Sequence, residues 1–203
     1  MKLKNKKLKL AITGSIGSGK SLFCNFLSEK GYPVIKADDI SKEILAEDKE
    51  VRLKVIREFG EESYIGSKIN KKYLAEKVFS DSIRLEKINS ILHPRVKQKV
   101  KSLTGKLFKQ YDIVFTEAAL IYEAEMQNMF DYVVLVTADQ KIRMKRKIET
   151  EGFSEEEFVK RDNNQIRDEE KKKQADFVFE NNGSKEELRE KVKLLIKMLK
   201  ALR

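Results

Sequence analysis

Residues 14–21 read Gly-Ser-Ile-Gly-Ser-Gly-Lys-Ser, and this octet narrows the folds open to the chain more than any other stretch. It matches G-x-x-x-x-G-K-[ST] in full. Before it lies a short apolar, β-branched run, Leu8–Thr13, and after it Leu22, Phe23, Phe26 and Leu27 recur at helical spacing until Gly31. The pattern predicts a strand, a glycine turn and a helix over Lys20–Lys30. Gly14, Ser15, Ile16, Gly17, Ser18 and Gly19 would curl so that successive N–H groups face one concavity, and the helix N-terminus adds its dipole. That is a cradle for nucleotide phosphates such as those of ATP. Lys20 can reach the β- and γ-phosphates, the Ser21 hydroxyl can ligate Mg²⁺, and Leu22 completes the contact run. The bland alternative, a glycine turn beside a surface lysine, has no support in the flanking residues.

Other features bound the chain. Its 203 residues suffice for a single domain, 1–203, or a domain with a small insert. The longest apolar runs are five residues, as in Tyr132–Val136, whereas a spanning helix needs about 20. No membrane segment or secretory leader is expected. The one cysteine, Cys24, excludes an internal disulfide and a cysteine-rich metal site, so the expected compartment is the cytoplasm. Net charge is +10, which suits an anionic partner or merely a lysine-rich surface. The surplus is split between the start (Lys2, Lys4, Lys6, Lys7, Lys9), a middle cluster (Lys141, Arg143, Lys145, Arg146, Lys147) and the last helix. Aromatics do not interleave with these clusters, which argues against a nucleic-acid binder.

Strand-like and helix-like stretches alternate. Pro33–Ala37, Ile113–Thr116, Tyr132–Ala138 and Phe177–Phe179 read as further strands, the middle two apolar enough to be covered on both faces. Ser154 and Ser184, each with Glu three residues on, open two more helices as capping boxes. The result is an α/β fold: a three-layer αβα sandwich on a mostly parallel sheet. From Asp39 to Gln110 only helical segments are legible, so 39–110 is expected to be a helical insert beside the sheet. Residues 140–173, charged and poor in apolar residues, are expected to be a lid.

Carboxylates and arginines supply the remaining chemistry. Asp38 follows the strand Pro33–Ala37, where parallel sheets place ligands. It could take the proton of an attacking hydroxyl, or it could cap the next helix. Glu117 ends Ile113–Thr116, the usual place for an acid that holds Mg²⁺, or simply a polar strand end. Arg143 and Arg146, three apart on one helix, either form a solvated basic face or neutralise charge on a transferring phosphoryl group. Asn181–Gly183 follows the last strand and could contact adenine through its backbone or be only a turn. Pro94 fits the first position of a helix, which alone would explain the His93-Pro94 pair.

Taken in order, these residues resemble the dephospho-CoA kinase family over nearly the whole chain. The motifs are Thr13–Ser21, Val34-Ile-Lys-Ala-Asp38, His93-Pro94, Phe115–Glu123, Gln140 with Arg143 and Arg146, Arg161 with Gln165, and Ala175–Gly183. Lys36 stands where the family has its first aspartate, Ala119 where it has proline, and Leu22 where threonine is common; Glu117 falls on a family aspartate. The resemblance implies ATP-dependent phosphorylation of the ribose 3′-hydroxyl of dephospho-CoA, with Mg²⁺. It implies Asp38 as base, and Lys20 and Arg143 as further catalytic groups. Arg146, Asn181 and Gly183 would join the phosphate loop on the nucleotide. Asp38, His93, Glu117 and Arg161 would hold the acceptor, and Ser21 and Glu117 the metal. The expected partners are the two substrates, with no nucleic acid or membrane, and the expected state is a monomer or weak homo-oligomer. Another small-molecule kinase, acting on a nucleoside monophosphate, is the alternative.

Overall fold

The structure is a computed structural model that describes residues 6–79 and 82–202. Lys2 and Lys4 of the basic start lie outside the described residues. In chain order the elements are β1 (Leu8–Thr13), α1 (Lys20–Glu29), β2 (Val34–Lys36), α2 (Ala37–Glu47), α3 (Lys49–Phe59), β3 (Tyr64–Ile65), β4 (Lys68–Ile69), α4 (Lys71–Phe79) and α5 (Ser82–Leu107). Then follow β5 (Ile113–Glu117), β6 (Tyr132–Thr137), α6 (Gln140–Glu151), α7 (Glu155–Asn163), α8 (Asp168–Gln174), β7 (Phe177–Glu180) and α9 (Lys185–Leu202). Five strands form one sheet in the order β2-β5-β1-β6-β7, and β1 pairs in parallel with both β5 and β6, as β6 does with β7.

The register explains why β5 and β6 are apolar throughout. Leu8, Leu10 and Ile12 of β1, Phe115 of β5, Val134 and Val136 of β6 and Phe179 of β7 pack with Phe23 and Leu27 of α1 and Leu188, Val192, Leu195 and Leu199 of α9 in one buried cluster. Ala11, Val114, Val133 and Leu135 alternate with these and are buried too, so both sheet faces are covered. Phe23 and Phe115 are fully buried, worth about 3–5 kcal/mol each against alanine. Gly31, at φ +83°, ends α1 as expected, its N–H bonded to the Ser28 carbonyl. Both capping boxes form: Glu157 N–H donates to Ser154 Oγ and Glu187 N–H to Ser184 Oγ, each with the reciprocal bond. Among the described residues no helix is long and apolar enough to cross a membrane.

Contacts divide the chain into two compact units, one built from the chain up to Ile35 together with Leu103 onward, the other from Lys36–Ser102. The second unit covers most of the stretch, 39–110, that the sequence suggested as a helical insert, and the end of α5 at Leu107 belongs to the first unit. Residues 140–173, expected as a lid, do not separate from the sheet unit.

Three local expectations are corrected. A hairpin, β3 with β4, sits inside the insert, turning at Gly66 with φ +60°; strands of two residues are too short to leave a periodic signal. Pro94 is not at a helix start but inside the 26-residue α5. Its ring removes one helical hydrogen bond, and Ile88, Leu92, Val96 and Val100, buried at every fourth position, carry the helix across it. Asp38 follows β2 by two residues, but it is not the cap of the next helix. The helix begins one residue before it, Lys36 occupies the cap position, and Asp38 and Asp39 sit in the first turn, where the helix dipole favours carboxylates.

Candidate active site

The phosphate loop leaves β1 at its C-terminal end and enters α1 through Gly19, at φ +91°. Glycine is required at two places for reasons beyond the turn. A Cβ on Gly14 would collide with the Val136 carbonyl oxygen of β6, and one on Gly17, at φ +77°, would lie 2.5 Å from the Arg143 carbonyl oxygen of α6. No side chain caps α1, and its first turn holds no acidic residue. The N-terminal dipole and N–H groups of this ten-residue helix are therefore left for an anion.

Around the loop the structure gathers a cleft of about 340 Å³ whose walls include Lys20, Ser21, Leu22, Arg146, Asn181 and Gly183. Asn181 is buried and donates its Nδ2 to the Ser18 carbonyl at 2.8 Å. Arg146 donates Nη2 to the Asn181 carbonyl at 2.8 Å, while its Nη1 is buried with no partner among the described residues. Burial lowers the Arg146 guanidinium from its ordinary value. A guanidinium stays charged even so. The unpartnered Nη1 is about 4.0 Å from where a Cβ on Gly19 would stand, so a fixed positive charge with a vacant donor faces the phosphate loop. At the far end of the loop Ser21 Oγ donates to Glu117 Oε1 at 2.5 Å, with Glu117 only 7% exposed at the end of β5. The pair is two hard oxygen donors at the place where the motif binds a cation.

Arg143 is on the same helix but is used differently. Its side chain is buried, with Nε on the Ala138 carbonyl (3.1 Å), Nη1 on the Ile16 carbonyl (3.1 Å) and on Asp162 Oδ1 (2.5 Å), and Nη2 on Asp162 Oδ2 (3.3 Å). In this arrangement it braces the phosphate loop from behind. Here it is not extended toward the concave side of the loop but bonded to the Ile16 carbonyl and Asp162. The Ser15 hydroxyl is likewise engaged elsewhere, donating to Asp168 Oδ1 at 2.5 Å. Arg161, on α7, stacks over the Phe153 ring at 4.5 Å.

In the other unit, Asp38 is exposed in the first turn of α2, directly past the end of β2, and His93 is half-buried within α5. Asp39 beside it pairs with Lys42 at 3.0 Å, and that hydrogen bond and charge hold the Asp39 carboxyl below its ordinary value.

Several residues central to this geometry were not singled out by sequence reading. Asp162 and Asp168 look like ordinary surface acids in a charged stretch. Gln165, whose Oε1 accepts the Ile16 N–H at 2.8 Å, and Glu123, whose Oε1 accepts the Ile166 N–H at 2.9 Å, were visible only as motif letters. Lys171 is fully buried, 3.1 Å from Glu123, in a run of three lysines that reads as solvated.

A parallel sheet in this order, a full phosphate loop with its lysine and serine, and an acid at the end of the neighbouring strand define a P-loop kinase. Solved structures agree at the level of fold: shikimate kinase from Acinetobacter baumannii, at 11% identity, superposes with a TM-score of 0.58. Nearer relatives are more specific. Residues 8–187 match the family model for dephospho-CoA kinase. The chain is 37% identical over 187 residues to dephospho-CoA kinase of Chlamydia abortus, covering 91% of this chain and 93% of that one. It is 35% identical over 178 residues to that of Bacteroides fragilis, covering 88% and 86%. A solved dephospho-CoA kinase from Campylobacter jejuni shares 27% identity with a TM-score of 0.70, covering 94% of this chain and 96% of that one. A Thermus thermophilus structure shares 34% with a TM-score of 0.81, covering 95% and 98%. The chain belongs to the dephospho-CoA kinase family.

Proposed function

We propose that this protein transfers the γ-phosphoryl group of ATP to the ribose 3′-hydroxyl of dephospho-CoA, giving coenzyme A and ADP. Family membership over residues 8–187 carries the reading. The uncapped N-terminus of α1 and the vacant Arg146 Nη1 support its phosphate half.

The residues divide the work as follows. Backbone N–H groups of the phosphate loop other than those of Ile16 and Ser18, which are bonded within the protein, and the ammonium of Lys20 hold the β- and γ-phosphates and neutralise charge that grows on them in transfer. Arg146 adds a second cation to the same end, with the Asn181 carbonyl fixing its direction, and Gly183 lines the same cleft. Ser21 and Glu117 would hold Mg²⁺, which supplies further neutralisation of the phosphates. Two side-chain oxygens are fewer than such an ion takes, and phosphate oxygens and water would complete the set. A ribose hydroxyl is protonated at neutral pH, so the attack needs a base. Asp38 takes that proton as the hydroxyl oxygen bonds to the γ-phosphorus and the bond to the β–γ bridging oxygen breaks, releasing ADP. What supports Asp38 is its place in the Val34–Asp38 motif and its exposure in the first turn past β2. His93 and Arg161 are assigned to the acceptor on the motif pattern alone. Arg143 serves transfer through the loop it braces. The working expectation is a cytoplasmic protein, monomeric or weakly self-associating, whose partners are its two substrates. Dispersed positive charge supports the absence of nucleic acid.

A coupled ADP-release assay across dephospho-CoA, AMP and UMP tests the reading. Turnover with dephospho-CoA and background rates with the other two are expected. Turnover with AMP or UMP alone would replace it with a nucleoside monophosphate kinase.

A further inference from the structure

The connection from α7 to α8 reaches across the sequence to the back of the phosphate loop. Asp168 shares its carboxylate between two hydroxyls: Oδ1 accepts from Ser15 Oγ at 2.5 Å and Oδ2 from Thr137 Oγ1 at 2.6 Å. Three residues earlier, Gln165 Oε1 accepts the Ile16 N–H at 2.8 Å, and the Ile16 carbonyl is taken by Arg143, itself held by Asp162. Both polar groups of one peptide turn of the loop are thus tied to side chains, and the residue before it is tied through its hydroxyl. These bonds are largely shielded from water: Ser15 and Thr137 are buried and the Asp168 side chain is 9% exposed. The platform is itself anchored, since Glu123 accepts the Ile166 N–H and forms an ion pair with the buried Lys171 ammonium at 3.1 Å.

A loop with three glycines in six residues has many conformations and binds phosphate well only in one. Ordering it at the moment of binding would subtract from affinity, and holding it beforehand removes that cost. We propose that Asp168, with Gln165, is a positioning residue for ATP: it acts through Ser15 and Ile16 to keep the phosphate loop in its binding shape. Ser15 serves as the handle for that clamp and not as a phosphate ligand. The position of residues 162–171 therefore sets the loop's affinity for phosphate. The inference rests on the reading that this loop binds ATP, but not on the identity of the acceptor.

The test measures ATP dissociation constants by direct titration of the full-length protein, alongside KM for each substrate and kcat. The variants are Asp168→Ala, Asp168→Asn, Ser15→Ala and the double variant Ser15→Ala/Asp168→Ala, with Glu170→Ala, an exposed acid on the same helix, as control. Asp168→Ala should raise the ATP dissociation constant and KM about tenfold to a hundredfold, the loss of a charge-assisted hydrogen bond. KM for dephospho-CoA should change less than about twofold, as expected for groups that act through the nucleotide loop. Asp168→Asn, which keeps an acceptor oxygen, should fall between the two. In the Ser15→Ala background the further effect of Asp168→Ala should shrink by more than about threefold, because the two act as one unit. Equal rises in both KM values, or full additivity with Ser15→Ala, would overturn the proposal. If Asp168→Ala does not fold, Ser15→Ala and Asp168→Asn decide: unchanged ATP affinity in both overturns it, and weakened affinity in Ser15→Ala sustains it. ATP binding without turnover of dephospho-CoA in the wild type would fault the acceptor assignment and leave this test intact.

Discussion

Residues 36–102 and residues 140–173 are both helical and both dense in charge, and they spend that charge differently. In the insert the ion pairs lie in solvent: Lys99 with Glu43 at 2.9 Å, Lys87 with Glu58 at 3.2 Å, Lys42 with Asp39 at 3.0 Å. Such pairs gain little, because water screens them and two long side chains lose freedom. Residues 140–173 hold exposed pairs too, such as Lys145 with Glu149, but here a set of charges turns inward. Arg143 meets Asp162, Asp168 meets two hydroxyls, and Lys171, fully buried, meets Glu123. Burial makes each of these partners costly to remove. The lesson is that charge density read from composition does not distinguish a solvated surface from an internal brace; only the neighbours do.

The largest effect should come from the side of the molecule that holds phosphate. Lys20→Ala is expected to lower kcat about 10³-fold with the thermal midpoint unchanged, since its ammonium acts on charge that develops in transfer. Near wild-type turnover in that variant would remove the phosphate loop from the account. The insert should contribute chemistry through one residue. Asp38→Asn is expected to lower kcat about 10²-fold while ATP affinity stays within about twofold, because the base serves the acceptor. Loss of ATP binding with kcat preserved at saturation would make Asp38 a structural or metal residue.

Stability sharpens the same comparison. Lys171→Met leaves Glu123 buried without its cation and should cost about 3–5 kcal/mol in urea unfolding. Lys99→Met, which breaks an exposed pair, should leave the unfolding midpoint where it was. Equal losses from the two would erase the distinction drawn here.

The smallest effect is expected at Tyr122, whose hydroxyl is buried without a partner among the described residues. Burial, with Asp176 and Glu123 nearby, pushes this phenol from 10.0 up to about 12. The neutral form is thus favoured in the folded chain. The stability linked to it is fully present below about pH 10 and is lost as pH rises toward 12, because the unfolded chain ionises first. Tyr122→Phe should match the wild type near pH 8 and lose less stability than it between pH 10 and 12, read by urea unfolding across that range.

How much of this was legible follows from distance along the chain. β1, the phosphate loop and α1 are contiguous, and an apolar run, a glycine pattern and a helical period each leave a local signature. β5, β6 and β7 were placed to within a residue for the same reason: they are apolar stretches bounded by turns. The start of α2 was missed by two residues, since Lys36 and Ala37 continue a strand pattern equally well. The clamp on the loop was not legible. Asp168 is 153 residues from Ser15, and nothing near Asp168 distinguishes it from Glu169 or Glu170, which face solvent. Arg143 and Arg146 looked equivalent at helical spacing; only the structure shows one bonded to the back of the loop and the other with a donor vacant beside it.

The central claim is phosphoryl transfer to a ribose hydroxyl, and the product tests it most directly. The protein is incubated with ATP, Mg²⁺ and dephospho-CoA, and the new phosphate is located by mass and by phosphorus NMR. The account predicts one added phosphoryl group, as a monoester on the ribose 3′ position, with ADP formed in equal amount. ADP without phosphorylated acceptor, or phosphate added to an existing phosphate group, would contradict it.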